Sequence, residues 1–295
     1  MKITIGYLYP DMMSTFGDRG NVETVRRRCA WRGIGTEITE LKLGDPIPAG
    51  LDLILIGGGG EAQQRLVAAD LHKVKAPGIR DAVASGTAAL AVGGGFELFG
   101  RFCQPERGAE YPGVDLFDCW TIRRSTLLGD DYGTIAQAKA DRVIGELVVQ
   151  WDDRLLVGFE NHSGGTYLGT AAQPLGLVLT GHGNSGTGTE GVILDSAVGT
   201  NLRGPCLPKN PALADFLIAA AVGRLHPGAE LMPLRDELEQ AAHDDCLQRV
   251  LPAGRIRRVR PGRAAGTGPA RQPRLTRPQR SPQRASRTTD AATRP

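Results

Sequence analysis

The sequence predicts an α/β protein whose core is a doubly wound, mostly parallel sheet. Two short apolar runs, at residues 51–56 and 88–92, are of the kind that is buried on both faces of such a sheet. Each run breaks into glycines, and segments with apolar residues at helical spacing lie between the strand-like segments. Strand and helix therefore alternate through the first hundred residues, which is the order of a parallel doubly wound sheet.

The individual elements follow from the same patterns. In the first hundred residues, β-prone segments predict strands at residues 3–8, 36–43, 51–56 and 88–92, and helical spacing predicts helices at 22–31, 61–74 and 78–85. Pro10 ends the first strand and Gly33 follows the first helix, because both residue types favour turns. The second half predicts strands at 120–122, 143–150, 155–159 and 177–180, an apolar helix at 211–225 and a charged helix at 234–250.

Charge divides the chain into two parts. Residues 254–295 contain twelve arginines, no lysine and one acidic residue, Asp290, so their net charge is +11. The net charge of the whole chain is +3. Residues 1–253 therefore carry −8. The basic part has six prolines and three large aliphatic residues, too little apolar surface to offset the entropy of ordering it. We expect one domain at 1–253 and a disordered Arg/Pro-rich tail at 254–295.

Three interpretations of the tail stay open. It is an out-of-frame translation of a GC-rich gene, a solvated extension, or a segment that binds nucleic acid or anionic surfaces electrostatically. The first is slightly favoured, because Arg, Pro, Ala, Gly and Thr dominate and Lys is absent. We expect no nucleic-acid partner.

Composition also excludes several classes of protein. No apolar stretch reaches the length of a membrane span, and the N-terminus leads directly into a strand, unlike a signal peptide. We therefore expect a cytoplasmic protein without a membrane span. The five cysteines form an odd number without a C-x-x-C pair, so we expect free thiols rather than disulfides or a zinc site.

The glycine-rich breaks after the two buried strands are the first candidate site. Ligands of open parallel sheets bind outside the carboxyl ends of the strands. The loop at residues 57–60 can present backbone N–H groups, those of Gly58 and Gly59 among them, to an anion or oxyanion. The alternative is a pair of tight turns without a ligand. Neither loop fits a nucleotide-binding motif.

The second break has the pattern of a nucleophile elbow. A strand at 88–92 meets Gly93 and Gly94 and then a helix start, a turn that exposes the residue at its tip to the pocket. Gly94 follows that position and can donate its backbone N–H to an oxyanion.

These motifs resemble those of one family. The pattern is similar to that of the CobB/CobQ-like class I glutamine amidotransferases, and within them to the GatD-type glutaminase subunits of lipid II isoglutaminyl synthase. The similarity spans residues 3–250 and includes the segments at 7–11, 16–21, 28–34, 57–61, 158–162, 181–184 and 199–211. It implies a flavodoxin-like class I amidotransferase fold.

The resemblance also implies roles for single residues, and two of the matching positions depart from the family. Gly93 stands where the family has its nucleophilic Cys, and Arg203 stands where the family has its catalytic His. Glu97 replaces a Gln of the elbow. Arg142 matches the arginine that holds the substrate glutamine; the alternative is an exposed charge at the start of a strand. Neither glycine nor arginine can act as nucleophile or general base.

The sequence offers no other residue as a replacement for the nucleophile or the general base. Cys103 and Cys206 lie outside a strand-to-helix turn, so we expect both to be small apolar residues. His162 and His182 have no carboxylate or cysteine at metal-ligand spacing, so we expect loop-ordering roles and no metal site.

By resemblance, the function is that of a GatD-like subunit in peptidoglycan biosynthesis. Such a subunit supplies ammonia from glutamine to a MurT-type Mur ligase, which amidates the D-glutamate of lipid II. The chain would need no cofactor, since ATP and Mg would be used by the partner synthetase. Glutaminase activity is expected to be absent or very low. The alternative is a non-catalytic pseudoenzyme of the same family that binds glutamine or acts as a scaffold.

Overall fold

A computed structural model of the chain describes residues 1–123 and 142–251. The predicted tail at 254–295 lies outside the described residues. Among the described helices, none combines the length and the apolar character that crossing a membrane requires. All five cysteines are free thiols, as predicted.

The elements alternate as predicted through the first hundred residues. The strands are β1 (Lys2–Leu8), β2 (Gly35–Leu41), β3 (Leu53–Ile56), β4 (Ala88–Val92), β5 (Phe102–Gln104), β6 (Tyr111–Pro112), β7 (Cys119–Arg123), β8 (Val143–Trp151), β9 (Arg154–His162), β10 (Gly164–Leu168), β11 (Gly176–Thr180), β12 (Thr189–Glu190), β13 (Val192–Leu194) and β14 (Ala197–Thr200). The helices are α1 (Arg19–Ala30), α2 (Glu61–Asp70), α3 (Ala76–Ala84), α4 (Gly94–Phe99), α5 (Cys206–Lys209), α6 (Pro211–Leu225) and α7 (Glu237–Val250).

The main sheet has the order β13-β14-β4-β3-β1-β2. All its neighbouring strands are parallel except β13, which pairs antiparallel to β14. The predicted doubly wound, mostly parallel sheet is thereby confirmed. Because β3, β4 and β14 are adjacent and parallel, their carboxyl ends and the loops that follow them lie at one edge.

Both faces of this sheet are buried, which explains the continuous apolar runs. Leu55 and Leu90 lie in a core with residues of α1 and α6 on one face. Ile54 and Ala89, one position away in each strand, lie in a second core with residues of α2 and α3. Successive side chains of a strand point to opposite faces, so a strand covered on both sides needs apolar residues at every position.

The two helices predicted at 61–74 and 78–85 are joined without a loop. A π-helical turn, Leu71–Lys75, connects α2 to α3, and a π turn accommodates an extra residue within a helix. Lys75 in this turn is fully buried, and its Nζ donates to Asp70 Oδ2 at 2.5 Å and to the carbonyl oxygen of Lys42 at 2.7 Å. These two bonds compensate the burial of the Lys75 charge.

The second half of the chain forms two further four-stranded sheets, ordered β10-β7-β5-β6 and β12-β11-β8-β9. Most of their pairs are antiparallel, and the longest joins β8 to β9. The four strands predicted here are present, but two- to five-residue strands such as β6, β10 and β12 were not predicted, because so few residues show no periodicity. The charged helix α7 packs Leu247 against β8 and β9.

Candidate functional site

Three loops meet at the carboxyl edge of the main sheet. Residues 57–60 follow β3, Gly93 follows β4, and residues 201–203 follow β14. The N–H of Gly93 donates to the carbonyl oxygen of Thr200 at 2.8 Å, which joins the second loop to the third. The structure therefore brings together Gly58, Gly93 and Arg203, which lie far apart in the sequence.

The turn between β4 and α4 has the backbone of a nucleophile elbow. Gly93 has φ 56° and ψ −114°, a conformation that is costly for any residue with a side chain. It separates the last residue of β4 from the first residue of α4, as the sequence predicted. The N–H of Glu97 donates back to the carbonyl oxygen of Gly93 at 3.0 Å and closes the first helical turn.

The guanidinium of Arg203 occupies the space into which a side chain at position 93 would point. A Cβ built on Gly93 would lie 2.6 Å from Cζ and 2.7 Å from Nε of Arg203, closer than real Cβ contacts come. On another side, Arg203 Cζ lies 4.7 Å from the centre of the Phe16 ring, within the range of a cation–π interaction. Gly93 and Arg203 are thus in direct contact.

Backbone pairing holds Arg203 in this position. Its N–H donates to the carbonyl oxygen of Phe159 at 2.9 Å, and its own carbonyl oxygen accepts from Phe159 at 3.2 Å. The preceding residues are held by Glu190, which is fully buried and whose Oε1 accepts from the Thr200 hydroxyl at 2.9 Å and from the Asn201 N–H at 2.5 Å. The side chain of Arg203 is therefore directed at the elbow by a rigid segment.

Arg203 is a buried cation with incomplete hydrogen bonding. The residue is 5% exposed, and its Nε has no hydrogen-bond acceptor among the described residues. Burial lowers its pKa; Glu97 and Asp18 oppose that shift, and the charges of Arg123 and Arg142 add to it. An arginine side chain nevertheless stays protonated in proteins, so Arg203 cannot act as a proton acceptor.

The N–H of Gly58, a predicted oxyanion donor, is already engaged. It donates to Asp18 Oδ2 at 2.9 Å. Burial raises the pKa of Asp18, while the bond from Gly58 and the charge of Arg203 act in the opposite direction. An incoming oxyanion would have to displace this carboxylate. The sequence contained no signal for this bond, because its partners are 40 residues apart.

The other two predicted backbone positions lie against one another. A Cβ on Gly94 would lie 3.0 Å from the carbonyl oxygen of Gly59, and that oxygen accepts a hydrogen bond from Gln64 Nε2 at 3.1 Å. The elbow can approach the loop that follows β3 this closely only because Gly94 has no side chain. The N–H of Gly94 is at the first position of α4, where no acceptor is available within the helix.

A buried ion pair that sequence reasoning missed lies beside the elbow. Arg123 Nη2 donates to Glu97 Oε2 at 2.7 Å, and both residues are buried. Tyr111 and Gln64 extend this network through a hydrogen bond of 2.9 Å from the Tyr111 hydroxyl. The Glu97 carboxylate is thereby neutralised by a buried cation.

Arg142, the predicted substrate-binding residue, is exposed at the start of β8. Its Nε donates to Asn161 Oδ1 on β9 at 2.5 Å. Its positive charge adds to the lowering of the pKa of Arg203, which burial causes in the main.

Neither candidate thiol has the environment of a nucleophile. Cys103 and Cys206 are both buried, and burial raises the pKa of Cys103 to about 12. Burial also raises the pKa of Cys206. A thiol needs a lowered pKa to react as a thiolate at neutral pH, so both cysteines contribute packing.

The two histidines lie in a hydrogen-bonded loop cluster. His162 Nδ1 lies 2.9 Å from the carbonyl oxygen of Gly164 and donates to it. Glu160 accepts hydrogen bonds from the backbone N–H groups of His182 at 2.6 Å and Gly183 at 3.0 Å. Among residues 1–123 and 142–251, no group of three or more His, Cys, Asp or Glu side chains has the arrangement of a metal site.

Comparison with known proteins shows similarity to glutamine amidotransferases. The CobB/CobQ-like glutamine amidotransferase domain matches residues 4–211. The chain is 30% identical over 254 residues to the lipid II isoglutaminyl synthase (glutamine-hydrolyzing) subunit GatD of Staphylococcus aureus, with 84% of this chain and 96% of that protein covered. It is 27% identical over 241 residues to the GatD subunit of Streptococcus pneumoniae, with 80% and 87% covered. A cobyric acid synthase of Methylorubrum populi is 27% identical over 173 residues, which cover 56% of this chain and 32% of that protein.

Proposed function

Because the chain belongs to the CobB/CobQ-like glutamine amidotransferase domain family, we propose that it is the GatD-type subunit of a lipid II isoglutaminyl synthase and that it does not hydrolyse glutamine itself. The two GatD proteins are aligned over 96% and 87% of their own lengths, which supports the assignment to a subunit of this kind. The domain is residues 1–253.

The contact between Gly93 and Arg203 carries the second part of this proposal. In the family reaction, a Cys thiolate attacks the side-chain amide carbon of glutamine, forms a thioester and releases ammonia. At the elbow of this chain there is no side chain to attack, and a guanidinium fills the space instead. In another hydrolase, loss of the nucleophile or its base lowers kcat by a factor on the order of 10⁶.

The partner that we propose is a MurT-type Mur ligase, in a heterodimer with this chain. The partner would bind ATP and Mg²⁺, activate the α-carboxylate of the D-glutamate in lipid II and transfer ammonia to it. The chain itself would need no cofactor. Its role without a nucleophile would be to complete the partner's fold and its ammonia site.

The test is glutamate release from glutamine by the co-purified pair. We expect no release above a no-enzyme control. The double variant Gly93→Cys/Arg203→His should release glutamate, because it restores a nucleophile and a base on a backbone that already has the elbow conformation. Gly93→Cys alone should stay inactive, since its Cβ would collide with Arg203. Turnover by the unmodified pair at the rate of a Cys/His-containing homologue would refute the proposal.

A non-catalytic scaffold or glutamine-binding protein is the second candidate. The engagement of the Gly58 N–H by Asp18 favours it, because the loop is then stable without a ligand. An assay with ammonium chloride as the nitrogen source distinguishes the two candidate functions. A synthase subunit should support ATP-dependent amidation of lipid II by the ligase when ammonium ions replace glutamine, whereas a protein unrelated to the ligase should not.

A further inference from the structure

A cavity that has no part in the proposed function lies between the N-terminal turns of α1 and the edge strand β2. Its volume is about 190 Å³. In the strand order β4-β3-β1-β2, two strands separate it from β4. Neighbouring strands lie about 4.8 Å apart, so β2 is roughly 14 Å from the strand that precedes the elbow. The cavity is lined by six residues of α1, β1 and β2: Tyr7, Arg19, Val22, Glu23, Ile38 and Glu40.

The periodicities of a helix and a strand bring these side chains together. The three lining residues of α1 stand three and four positions apart, so they lie on one face of the helix. Tyr7 of β1 pairs with Glu40 of β2, and Ile38 lies two positions before Glu40, so all three point to one face of the sheet. Val22 packs on that face in the same core as Tyr7 and Ile38. A helix therefore forms one wall of the cavity and a pair of strands the other.

The two walls carry opposite charges that no described residue neutralises. Glu23 is paired with Arg26 at 2.7 Å. Arg19 and Glu40 are exposed, and neither lies within 4.0 Å of an opposite charge in residues 1–123 and 142–251. The helix wall thus holds a cation and the strand wall an anion, and the space of the cavity lies between them.

The remaining wall is apolar and includes a buried hydroxyl group. Val22 and Tyr7 are each 3% exposed, and Ile38 is half-buried. The Tyr7 hydroxyl has no hydrogen-bond partner in the described parts of the chain, since the nearby Ser14 side chain does not reach it with hydrogen-bond geometry. Burial raises the pKa of Tyr7, so its hydroxyl stays protonated near neutral pH. A buried donor without an acceptor is costly, so this wall favours a ligand with a negatively charged oxygen.

We propose that this cavity binds a small zwitterionic α-amino acid with an apolar side chain. The carboxylate of the ligand pairs with Arg19, its ammonium group pairs with Glu40, and its side chain lies against Val22 and Ile38. A simple anion or cation matches only one of the two protein charges. Pockets for drug-sized ligands have volumes of about 300–1,000 Å³, so a cavity of about 190 Å³ selects a smaller molecule. Its occupation requires neither glutamine nor the elbow.

Amide NMR spectroscopy of the isotopically labelled full chain, titrated with L-valine at constant ionic strength and near-neutral pH, tests this proposal. We expect saturable shifts of the signals of residues 19–23 and 36–40, and no comparable shifts at residues 93–97. Isovalerate is valine without the ammonium group, and isobutylamine is valine without the carboxylate. Each should bind at least about threefold more weakly than L-valine, because it loses one of two charge contacts at a solvent-exposed site.

Two variants assign the two charges. Arg19→Met should lower the affinity for L-valine to that for isobutylamine, and Glu40→Gln should lower it to that for isovalerate. Arg27→Met is the matched control on α1, since Arg27 is exposed and does not line the cavity. Glu37→Gln is the control on β2, because Glu37 is three positions from Glu40 and points to the opposite face of the sheet. Both controls should leave the affinity for L-valine unchanged.

The absence of saturable shifts at millimolar L-valine would overturn the proposal. Shifts confined to the elbow would do the same, as would equal affinities for L-valine and either analogue. A loss of affinity in the control variants as large as in Arg19→Met or Glu40→Gln would refute the assignment of the two charges. The comparison of the three compounds requires only the unmodified chain, so it decides the question even if a variant fails to fold.

Discussion

Replacing Gly93 by alanine should destabilise the protein because two separate penalties arise at one position. Alanine at φ 56° and ψ −114°, a sparsely populated backbone conformation, is strained by about 1–2 kcal/mol. The new Cβ would also lie 2.6 Å from Arg203 Cζ, so the guanidinium must move by several tenths of an ångström in a packed site. Overpacking of this kind costs roughly 1–3 kcal/mol. We expect the free energy of unfolding to fall by about 2–5 kcal/mol in total.

A double-mutant cycle separates the collision from the strain. In the Arg203→Ala background the collision partner is absent, so Gly93→Ala should cost about 1–3 kcal/mol less than it does in the unmodified chain. The backbone strain is the same in both backgrounds and cancels. Gly33→Ala is the matched control, because Gly33 has φ 69° and a Cβ there would meet nothing within 4 Å. It should cost about 1–2 kcal/mol.

Urea denaturation followed by circular dichroism gives the free energy of unfolding of the unmodified chain, the two single variants, the double variant and the Gly33→Ala control. If the costs of Gly93→Ala and Arg203→Ala add to within about 0.5 kcal/mol, the guanidinium does not fill the space above Gly93 and the reasoning about this site is wrong. A coupling of the opposite sign, with the double variant less stable than additivity predicts, would refute it as well.

Three further predictions concern other parts of the fold. Arg28→Met should lower the free energy of unfolding by about 3 kcal/mol in urea denaturation, because it leaves Asp236 without its buried partner and Asp215 with Arg32 alone. Arg26→Met, at an exposed ion pair, should cost less than about 1 kcal/mol. Equal costs of the two variants would contradict this. Burial raises the pKa of Asp70, but the hydrogen bonds from the buried Lys75 and from its other donors outweigh this and leave the pKa lowered. Asp70→Asn should therefore destabilise the protein near pH 7, and the difference in the free energy of unfolding should shrink as pH falls below about 4, where the native carboxylate gains its proton. A difference that does not change with pH would contradict this. Cys246 should react with a thiol reagent in the folded protein before the other four cysteines, which are buried, and simultaneous labelling of all five would show that the core opens first.

The main sheet was predictable because its signals are local. An apolar run with no polar alternation indicates a strand covered on both faces, and the two cores on either side of β3 and β4 meet that expectation. The break from β4 into Gly93 and α4 was equally visible, since a glycine between a buried strand and a helix indicates a sharp turn. Each of these predictions depends on fewer than about fifteen consecutive residues, the range over which periodicity is readable.

The two four-stranded sheets were only partly predictable. β8 and β9 are each nine residues long, and both were located from their composition. β6 and β12 have two residues each, and they are strands only because a neighbouring strand supplies their hydrogen bonds. Pairing between distant segments determines such elements, so composition does not reveal them.

The sequence by itself determined the fold class and the position of the sharp turn at Gly93, because each of these follows from residue types within one segment. Only the tertiary structure decided which side chain fills the space beside Gly93. The β14 loop carries Arg203 onto Gly93 across 110 residues, Asp18 takes the N–H of Gly58, and Glu97 pairs with Arg123. These contacts depend on strand order and on the exclusion of water from the sheet edge, and neither is encoded within a single stretch of residues.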